Sequence, residues 1–172
     1  MRRPARWHAL HIMDNWILKR SDGILITGAN GFIGVHVLQS LLDHGFERIR
    51  CLVRSSKNAA ELQGLVARYP NRVEVQKGNL QSKADCGKAC EGIAVIYHLA
   101  VGATGKSFPG SVMNVVVPTR NLLDAAVAQP AMKRFVNVSS FAVYSNRNKP
   151  RGNVLDETAP VDERPQDRGD AY

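Results

Sequence analysis

The sequence predicts an α/β fold, a doubly wound parallel β-sheet with helices on both faces, from two observations. From residue 23 onward, short apolar runs of five to seven residues alternate with longer stretches whose apolar residues recur at helical spacing. A glycine-rich loop lies where the first apolar run meets the first helical stretch. Repeated alternation of this kind is typical of parallel sheets, because each helix crosses over the sheet between two strands.

Five segments have strand character, and the first of them is continuously apolar, as expected for a strand that is covered on both faces. The third segment alternates apolar and polar residues instead, which favours a strand with one exposed face. The predicted strands are Gly23–Thr27, Arg48–Val53, Arg72–Gln76, Ala94–Ala100 and Arg134–Ser139.

Four segments have helical periodicity, and each has a recognisable start or stop. Gly45 ends the first, Pro70 closes the second, and Ser82 is the expected N-cap of the third. Pro118 lies in the fourth and is expected to kink its first turns. The predicted helices are Phe32–His44, Lys57–Tyr69, Ser82–Cys90 and Val112–Val127.

The two ends of the chain lack this periodicity. Residues 1–22 are rich in arginine and are expected to be a disordered extension or an artefact of a true start at Met13; a mitochondrial presequence is the open alternative. Residues 145–170 are rich in Arg, Asp, Asn, Pro and Gly, and we expect a long loop there. Residues 23–172 are therefore expected to form one incomplete domain, truncated before a substrate-binding portion.

Composition excludes several classes of function. The net charge of +8 is spread along the chain and aromatic residues make up only 6%, which disfavours nucleic acid as a partner. No apolar run approaches the roughly 20 residues of a membrane-spanning helix. Cys51, Cys86 and Cys90 are too few and too scattered for a disulfide framework or a metal site, so we expect a reducing compartment, such as the cytoplasm, and no metal.

The glycine-rich loop predicts a binding site for a diphosphate. Gly28 permits a tight turn, Gly31 allows a close approach of the backbone, and Gly34 allows the helix to pack on the sheet. The N-terminus of the following helix offers unpaired N–H groups and a partial positive charge. Strand, glycines and helix occur in the order of a Rossmann-type dinucleotide-binding fold.

The segment TGANGFIG resembles the TGxxGFIG fingerprint of the extended short-chain dehydrogenase/reductases, a family of NAD(P)-dependent epimerases, dehydratases and reductases. Gly78-Asn-Leu, His98-Leu-Ala, NVVVPTRNLLDAA from Asn114 and RFVNVSSFAVY from Arg134 resemble further family segments, in the family's order. Asn79 stands where the family has Asp, but its oxygen could still accept from the adenine amino group. Apart from the second-strand residue considered next, the cofactor-binding residues that the resemblance implies are Gly28, Asn30, Gly31, Phe32, Ile33, Gly34, Asn79, Leu80, Leu99 and Ala100.

The residue that follows the second strand decides between the two nicotinamide cofactors. A carboxylate there would bind the ribose hydroxyls of NAD, whereas this chain has Arg54, followed by Ser55, Ser56 and Lys57. Because a guanidinium can pair bidentately with a 2′-phosphate, we expect NADP rather than NAD. A solvated residue at the end of a strand is the alternative interpretation of Arg54.

The resemblance also implies the residues that handle the substrate. Ser140, or its neighbour Ser139, matches the family serine that orients the reacting oxygen, and Tyr172 matches the tyrosine that exchanges its proton. The family lysine would lie four residues beyond Tyr172. We therefore expect an NADP-dependent oxidoreductase acting on a small molecule; a nucleotide-binding module without turnover and a nucleotide-sugar epimerase or dehydratase are the alternatives. The family's dimer helices would include residues 111–129, so the full-length parent could be a homodimer.

Overall fold

The computed structural model describes residues 17–55, 60–102, 107–144 and 156–164. Most of the predicted N-terminal extension, the residues Ser56, Lys57 and Tyr172, and most of the predicted loop after Tyr144 lie outside these ranges.

The described residues contain a five-stranded sheet in which all neighbouring strands run parallel, as predicted. The strand order is β3-β2-β1-β4-β5. The chain therefore builds one half of the sheet outward from β1 and then returns to build the other half. The strands are β1 (Gly23–Thr27), β2 (Arg48–Val53), β3 (Val73–Lys77), β4 (Ile93–His98) and β5 (Arg134–Asn137).

The strand order reverses between β1 and β4, and this reversal positions the site. Thr27 and His98, the last residues of these two strands, are register partners. In open α/β sheets the connections diverge at such a point and leave a crevice beyond the carboxyl ends of the strands.

Helices follow the strands and return the chain to the amino edge of the sheet. Ser82 caps α3 as predicted, since its side chain accepts a hydrogen bond from the Asp85 N–H. The long fourth helix is divided into α4, a π-helical segment and α5. The bounds are α1 (Phe32–Asp43), α2 (Ala60–Arg68), α3 (Lys83–Cys90), α4 (Phe108–Ser111), the π segment (Val112–Val116) and α5 (Val117–Val127).

The core consists of two apolar layers, one on each face of the sheet, because successive side chains of a strand point to opposite faces. Ile24 and Ile26 of β1 pack into the layer that includes α1 and α2. Leu25, between them, packs with Leu122 of α5 and with α3 in the other layer. Every residue of β1 is buried, which confirms the prediction from its continuous apolar run.

A single arginine joins the central sheet to the end of α3. Arg50, on β2, donates through Nη1 to the carbonyl oxygens of Ala89 at 2.9 Å, Glu91 at 3.0 Å and Lys88 at 3.3 Å. Its Nε donates to a Glu74 carboxylate oxygen at 3.0 Å. The guanidinium therefore satisfies carbonyl groups that the end of a helix leaves without partners.

Three predicted boundaries were wrong, and hydrogen bonds explain two of them. β4 ends at His98 and not at Ala100, because the N–H groups of Leu99 and Ala100 donate to the Thr27 hydroxyl rather than to a neighbouring strand. The last helical region begins at Phe108 and not at Val112, because Ser107 caps it by accepting from the Gly110 N–H. β5 is also two residues shorter than predicted.

Candidate functional site

A cleft of about 300 Å³ lies beyond the carboxyl ends of the strands, at the point where the strand order reverses. Among the described residues that line it, Arg54 carries the only charge, and no carboxylate is present. The cleft therefore favours an anionic ligand. The predicted binding residues that line it are Gly28, Asn30, Gly31, Arg54, Asn79, Leu80, Leu99 and Ala100.

The glycine-rich loop has the close backbone approaches that require glycine. Gly28 has φ +69, and a Cβ built on it would lie 2.9 Å from the Ala100 nitrogen. A Cβ on Gly34 would lie 2.3 Å from the Gly28 carbonyl oxygen. These two positions accept no side chain, so the loop, the start of α1 and the turn after β4 are packed backbone against backbone.

The N-terminus of α1 opens at this loop. Gly31 is its N-cap residue, and no side chain caps the helix there. Phe32 and Ile33 begin the helix, and their side chains are 81% and 55% exposed and do not line the cleft. These two residues can therefore bind a ligand only through their backbone N–H groups. Uncapped N–H groups at a helix N-terminus form an anion site, which fits a diphosphate.

Arg54 lines the cleft just after β2, with an exposed side chain. Asn30 of the glycine loop reaches the same region, since its Nδ2 donates to the Ser55 carbonyl oxygen at 3.4 Å. This contact connects the predicted diphosphate loop to the residues that are predicted to determine the preference between NADP and NAD. No ion pair of Arg54 occurs within the part of the chain that the structure describes, so its guanidinium can pair with an anionic group.

The turn after β3 forms another wall. Asn79 Oδ1 accepts from the Gln81 N–H at 3.1 Å, so one lone pair of the oxygen expected to accept from adenine is already engaged. The Asn79 N–H donates to an Asp85 carboxylate oxygen at 2.8 Å. Both bonds fix the conformation of the turn before any ligand binds.

Asn121 of α5 supports this turn, a role that no sequence pattern predicts. Its buried amide nitrogen donates to the carbonyl oxygens of Leu80 and Gln81, each at 3.1 Å. A helical asparagine among leucines carries little signal by itself. Only the packing of α5 beneath the turn gives it this function.

The π segment lies beside the same wall. The Val117 N–H bonds to the Val112 carbonyl, five residues back, just before Pro118, which has no N–H to donate. Side chains satisfy two nearby carbonyls: Gln81 Nε2 donates to Met113 at 3.1 Å, and Thr119 Oγ1 donates to Val115 at 2.7 Å. The expected kink is therefore resolved as a π turn.

His98 is buried between the cleft and α5. Its Nδ1 lies 2.8 Å from Thr27 Oγ1, and its Nε2 lies 3.0 Å from Thr119 Oγ1. Burial lowers the pKa of His98, because the charged imidazolium would lose its hydration. In the sequence, His98 is the first residue of the His98-Leu-Ala segment, and no pattern there predicts a role for its side chain.

The predicted catalytic serine lies in a different hollow. Ser140 and the alternative Ser139 line a cavity of about 380 Å³ together with Tyr144, Asp156 and Glu157, and this cavity shares no lining residue with the cleft. The segment 156–164 is held there by an antiparallel bridge between Tyr144 and Val161. Tyr172 lies outside the described residues, so its position relative to Ser140 stays a prediction.

Three further features bear on the expected membrane, metal and disulfide chemistry. None of the helices that the structure describes is both long and apolar enough to cross a membrane. Within the same residues, no three His, Cys, Asp or Glu side chains are grouped so that they could hold a metal ion. Cys51, Cys86 and Cys90 are buried free thiols.

Comparison with known proteins identifies a family and several relatives. The model of the NAD dependent epimerase/dehydratase family matches residues 24–167. Aldehyde reductase 2 of Sporidiobolus salmonicolor is 37% identical over 134 residues, which are 74% of this chain and 38% of that protein. Cinnamoyl-CoA reductase 1 of Oryza sativa subsp. japonica is 34% identical over 141 residues, 78% of this chain and 39% of that protein. The chain thus spans about two fifths of the length of these relatives.

Solved structures share the fold. Pen from Bacillus thuringiensis superposes with a TM-score of 0.65 at 27% identity, over 73% of this chain and 40% of that one. The yeast methylglyoxal/isovaleraldehyde reductase Gre2, solved with NADPH, gives a TM-score of 0.60 at 20% identity, over 72% of this chain and 38% of that one. The predicted Rossmann-type fold is confirmed.

Proposed function

The chain belongs to the NAD dependent epimerase/dehydratase family, and we propose that it forms the cofactor-binding part of an oxidoreductase that uses NADP rather than NAD. The observation that carries this proposal is the charge of the cleft. Arg54 stands beyond β2 where a carboxylate would favour NAD, and no described residue lining the cleft is acidic.

The residues of the cleft fit the parts of the cofactor in order. The uncapped N-terminus of α1 and the loop from Gly28 to Gly34 would hold the diphosphate. Arg54 would pair with the 2′-phosphate, and the turn that contains Asn79 and Leu80 would contact the adenine. Leu99 and Ala100 would form the wall beside the nicotinamide ribose. When bound, the nicotinamide supplies the hydride transfer, which no side chain can perform.

We assign the substrate oxygen to Ser140 and Tyr172. Ser140 would hold this oxygen by a hydrogen bond, and Tyr172 would exchange a proton with it. Both assignments follow the family resemblance. Because the family lysine would follow Tyr172 by four positions, turnover should be assayed on a chain that includes that position.

The reaction that we favour is reduction of a carbonyl group on a small molecule. Two of the relatives, at 37% and 34% identity, are named as an aldehyde reductase and a cinnamoyl-CoA reductase. NADP dependence also favours reduction. Epimerisation or dehydration of a nucleotide sugar is the alternative within the family, and product analysis with the two substrate classes would distinguish them.

We also propose that the longer protein is a homodimer in a reducing compartment such as the cytoplasm. The helical stretch from the π segment through α5 exposes four apolar side chains: Met113 at 52%, Val116 at 55%, Leu123 at 40% and Val127 at 84%. A second copy could cover this apolar surface. The three free thiols support the reducing compartment.

Fluorescence titration with NADPH and NADH in parallel tests the cofactor assignment. We expect tighter binding of NADPH, and we expect Arg54→Ala to weaken it about tenfold or more while changing NADH binding by less than about threefold. Arg134→Ala removes an exposed arginine that does not line the cleft and serves as the matched control. Equal binding of both nucleotides by the unsubstituted chain, the parent chain, would refute the preference for NADP. Binding of neither nucleotide would refute the cofactor assignment as a whole.

A further inference from the structure

A continuous row of hydrogen bonds crosses the base of the cleft from Thr27 through His98 to Thr119. Thr27 lines the cleft and is buried, and His98 is only 4% exposed. The two flanking groups are hydroxyls, each of which can donate one hydrogen bond and accept others. The other hydrogen bonds of these two hydroxyl groups therefore determine where each proton in the row lies.

Thr119 determines the protonation state of the imidazole. Its hydroxyl donates to the Val115 carbonyl at 2.7 Å, so its oxygen can only accept from His98 Nε2. Nε2 therefore carries the proton and Nδ1 is bare. The Thr27 hydroxyl must then donate to His98 Nδ1, 2.8 Å away. The arrangement requires one neutral tautomer of His98.

The direction of the Thr27 hydroxyl has a consequence for the cleft. With its hydrogen committed to His98, Thr27 Oγ1 directs its lone pairs elsewhere, and it accepts from the N–H groups of Leu99 and Ala100, each at 3.2 Å. These bonds draw the chain away from the sheet after His98. The same two residues form the wall against which Gly28 packs.

We propose that His98 is a positioning residue for the cofactor: by accepting the Thr27 hydroxyl hydrogen, it fixes the wall formed by Leu99 and Ala100. The inference rests on the proposed function, because it concerns the nicotinamide side of the same cleft. The hydrogen bond from His98 to Thr119, in contrast, only anchors the ring to α5. The two nitrogen atoms of one side chain thus have separable roles.

If His98 only stabilised the fold, loss of either ring nitrogen would weaken NADPH binding to the same extent. His98 also packs against the Phe135 ring, with centroids 5.9 Å apart, so any substitution will cost some stability. Among the described residues, the His98 ring has no hydrogen bond or ion pair with a charged side chain; its two ring nitrogens are bonded to the two threonine hydroxyls. The test must therefore remove one nitrogen at a time.

Asparagine and glutamine allow this comparison, because the terminal amide of asparagine lies near the position of Nδ1 and that of glutamine near Nε2. His98→Asn keeps an acceptor for Thr27 and loses the contact with Thr119. His98→Gln keeps a donor for Thr119 and leaves the Thr27 hydroxyl without its acceptor. Thermal unfolding of both variants measures the shared loss of stability.

We expect NADPH to bind to His98→Asn within about threefold of the parent and to His98→Gln about tenfold or more weakly, since an unpaired buried hydroxyl will reorient. Nitrogen NMR of labelled histidine should show Nε2 protonated and Nδ1 bare in the parent chain. Equal loss of affinity in both variants, or a proton on Nδ1, would overturn this inference alone. Failure of the parent to bind NADPH would overturn the proposed function and this inference with it.

Discussion

The backbone at Gly34 meets the carbonyl of Gly28 so closely that a methyl group on Gly34 would lie 2.3 Å from the Gly28 oxygen. Gly34 is in the first turn of α1, and Gly28 is the first residue of the loop, directly after β1. The helix axis is therefore placed against the loop by contact between backbone atoms, which no rotamer change can relieve.

Gly34→Ala is expected to reduce the free energy of unfolding by about 1–3 kcal/mol, because the added methyl group overpacks a backbone contact. It should also weaken NADPH binding, since α1 would have to move away from the diphosphate loop. Urea unfolding and fluorescence titration measure the two effects. A variant with parental stability and parental affinity would contradict the close approach.

Gly64→Ala is the matched substitution with the opposite expected sign. Gly64 lies in α2, is exposed, and would place its Cβ with nothing within 4 Å. Alanine should raise the free energy of unfolding by about 0.5–1 kcal/mol, because it loses less backbone entropy in a helix. A destabilised Gly64→Ala protein in urea unfolding would argue against an open helix surface at this position.

Arg50 should contribute more to stability than its ion pair with Glu74 suggests. Arg50→Leu leaves the carbonyl groups of Lys88, Ala89 and Glu91 without this partner, and we expect a loss of about 2 kcal/mol. Glu74→Gln should cost less than about 1 kcal/mol, because the Glu74 side chain is 61% exposed. Equal effects of the two substitutions in urea unfolding would assign the stabilisation to the ion pair instead.

Stability should fall as the pH drops below about 6.5, the ordinary pKa of histidine. Burial lowers the pKa of His98 in the folded state, so the unfolded chain takes up a proton at a higher pH than the folded chain does. The stabilisation from neutral His98 is thus complete above pH 6.5 and is lost progressively below it, with a slope of at most about 1.4 kcal/mol per pH unit.

His98→Asn provides the control, since it removes the titrating ring and should flatten this part of the pH profile. Asp22 does not interfere in this range. Its pKa is lowered from 3.8, chiefly by the hydrogen bond from Lys133, so its contribution is lost only in more acidic solution. Identical profiles for the parent and His98→Asn would contradict the burial of neutral His98.

The three thiols should be unreactive in the folded protein. Burial raises the pKa of Cys51 to about 12, and burial is also the main cause that raises the pKa values of Cys86 and Cys90 to about 11. Because the thiolate is the reactive form, we expect no labelling by a disulfide reagent at pH 8 until the protein is unfolded, when all three should react. Rapid labelling of any of them in the native state would contradict its burial.

The elements of the fold were predictable where a local pattern was sufficient. The continuous apolar run of β1 and the glycine spacing before α1 carry their own signal, and the structure confirms both. The end of β4 was not predictable, because it depends on a hydrogen bond from Leu99 to Thr27, 72 positions earlier. Side-chain periodicity contains no information about such a contact.

The residues of the candidate site also fall into two groups, those that a local sequence pattern predicts and those that depend on distant contacts. Residues that the diphosphate loop requires could be found from spacing alone, whereas His98 and Asn121 act through neighbours that only the fold brings together. The π segment shows a third case. Pro118 predicted a disturbance of the helix, but the form of that disturbance depends on side chains such as Gln81 and Thr119, which bond the nearby carbonyl groups.

The central position of β1 in the sheet also constrains how this domain can fold. β1, β2 and β3 pair with their neighbours along the chain, so this half can form through comparatively short loops. β4 must instead find β1, and the register partners Thr27 and His98 are 71 positions apart. Closing this loop costs about 1 kcal/mol more conformational entropy than pairing β1 with β2, and contacts of long range slow folding. The cleft lies where β1 and β4 pair, so it should be among the last parts of the domain to form.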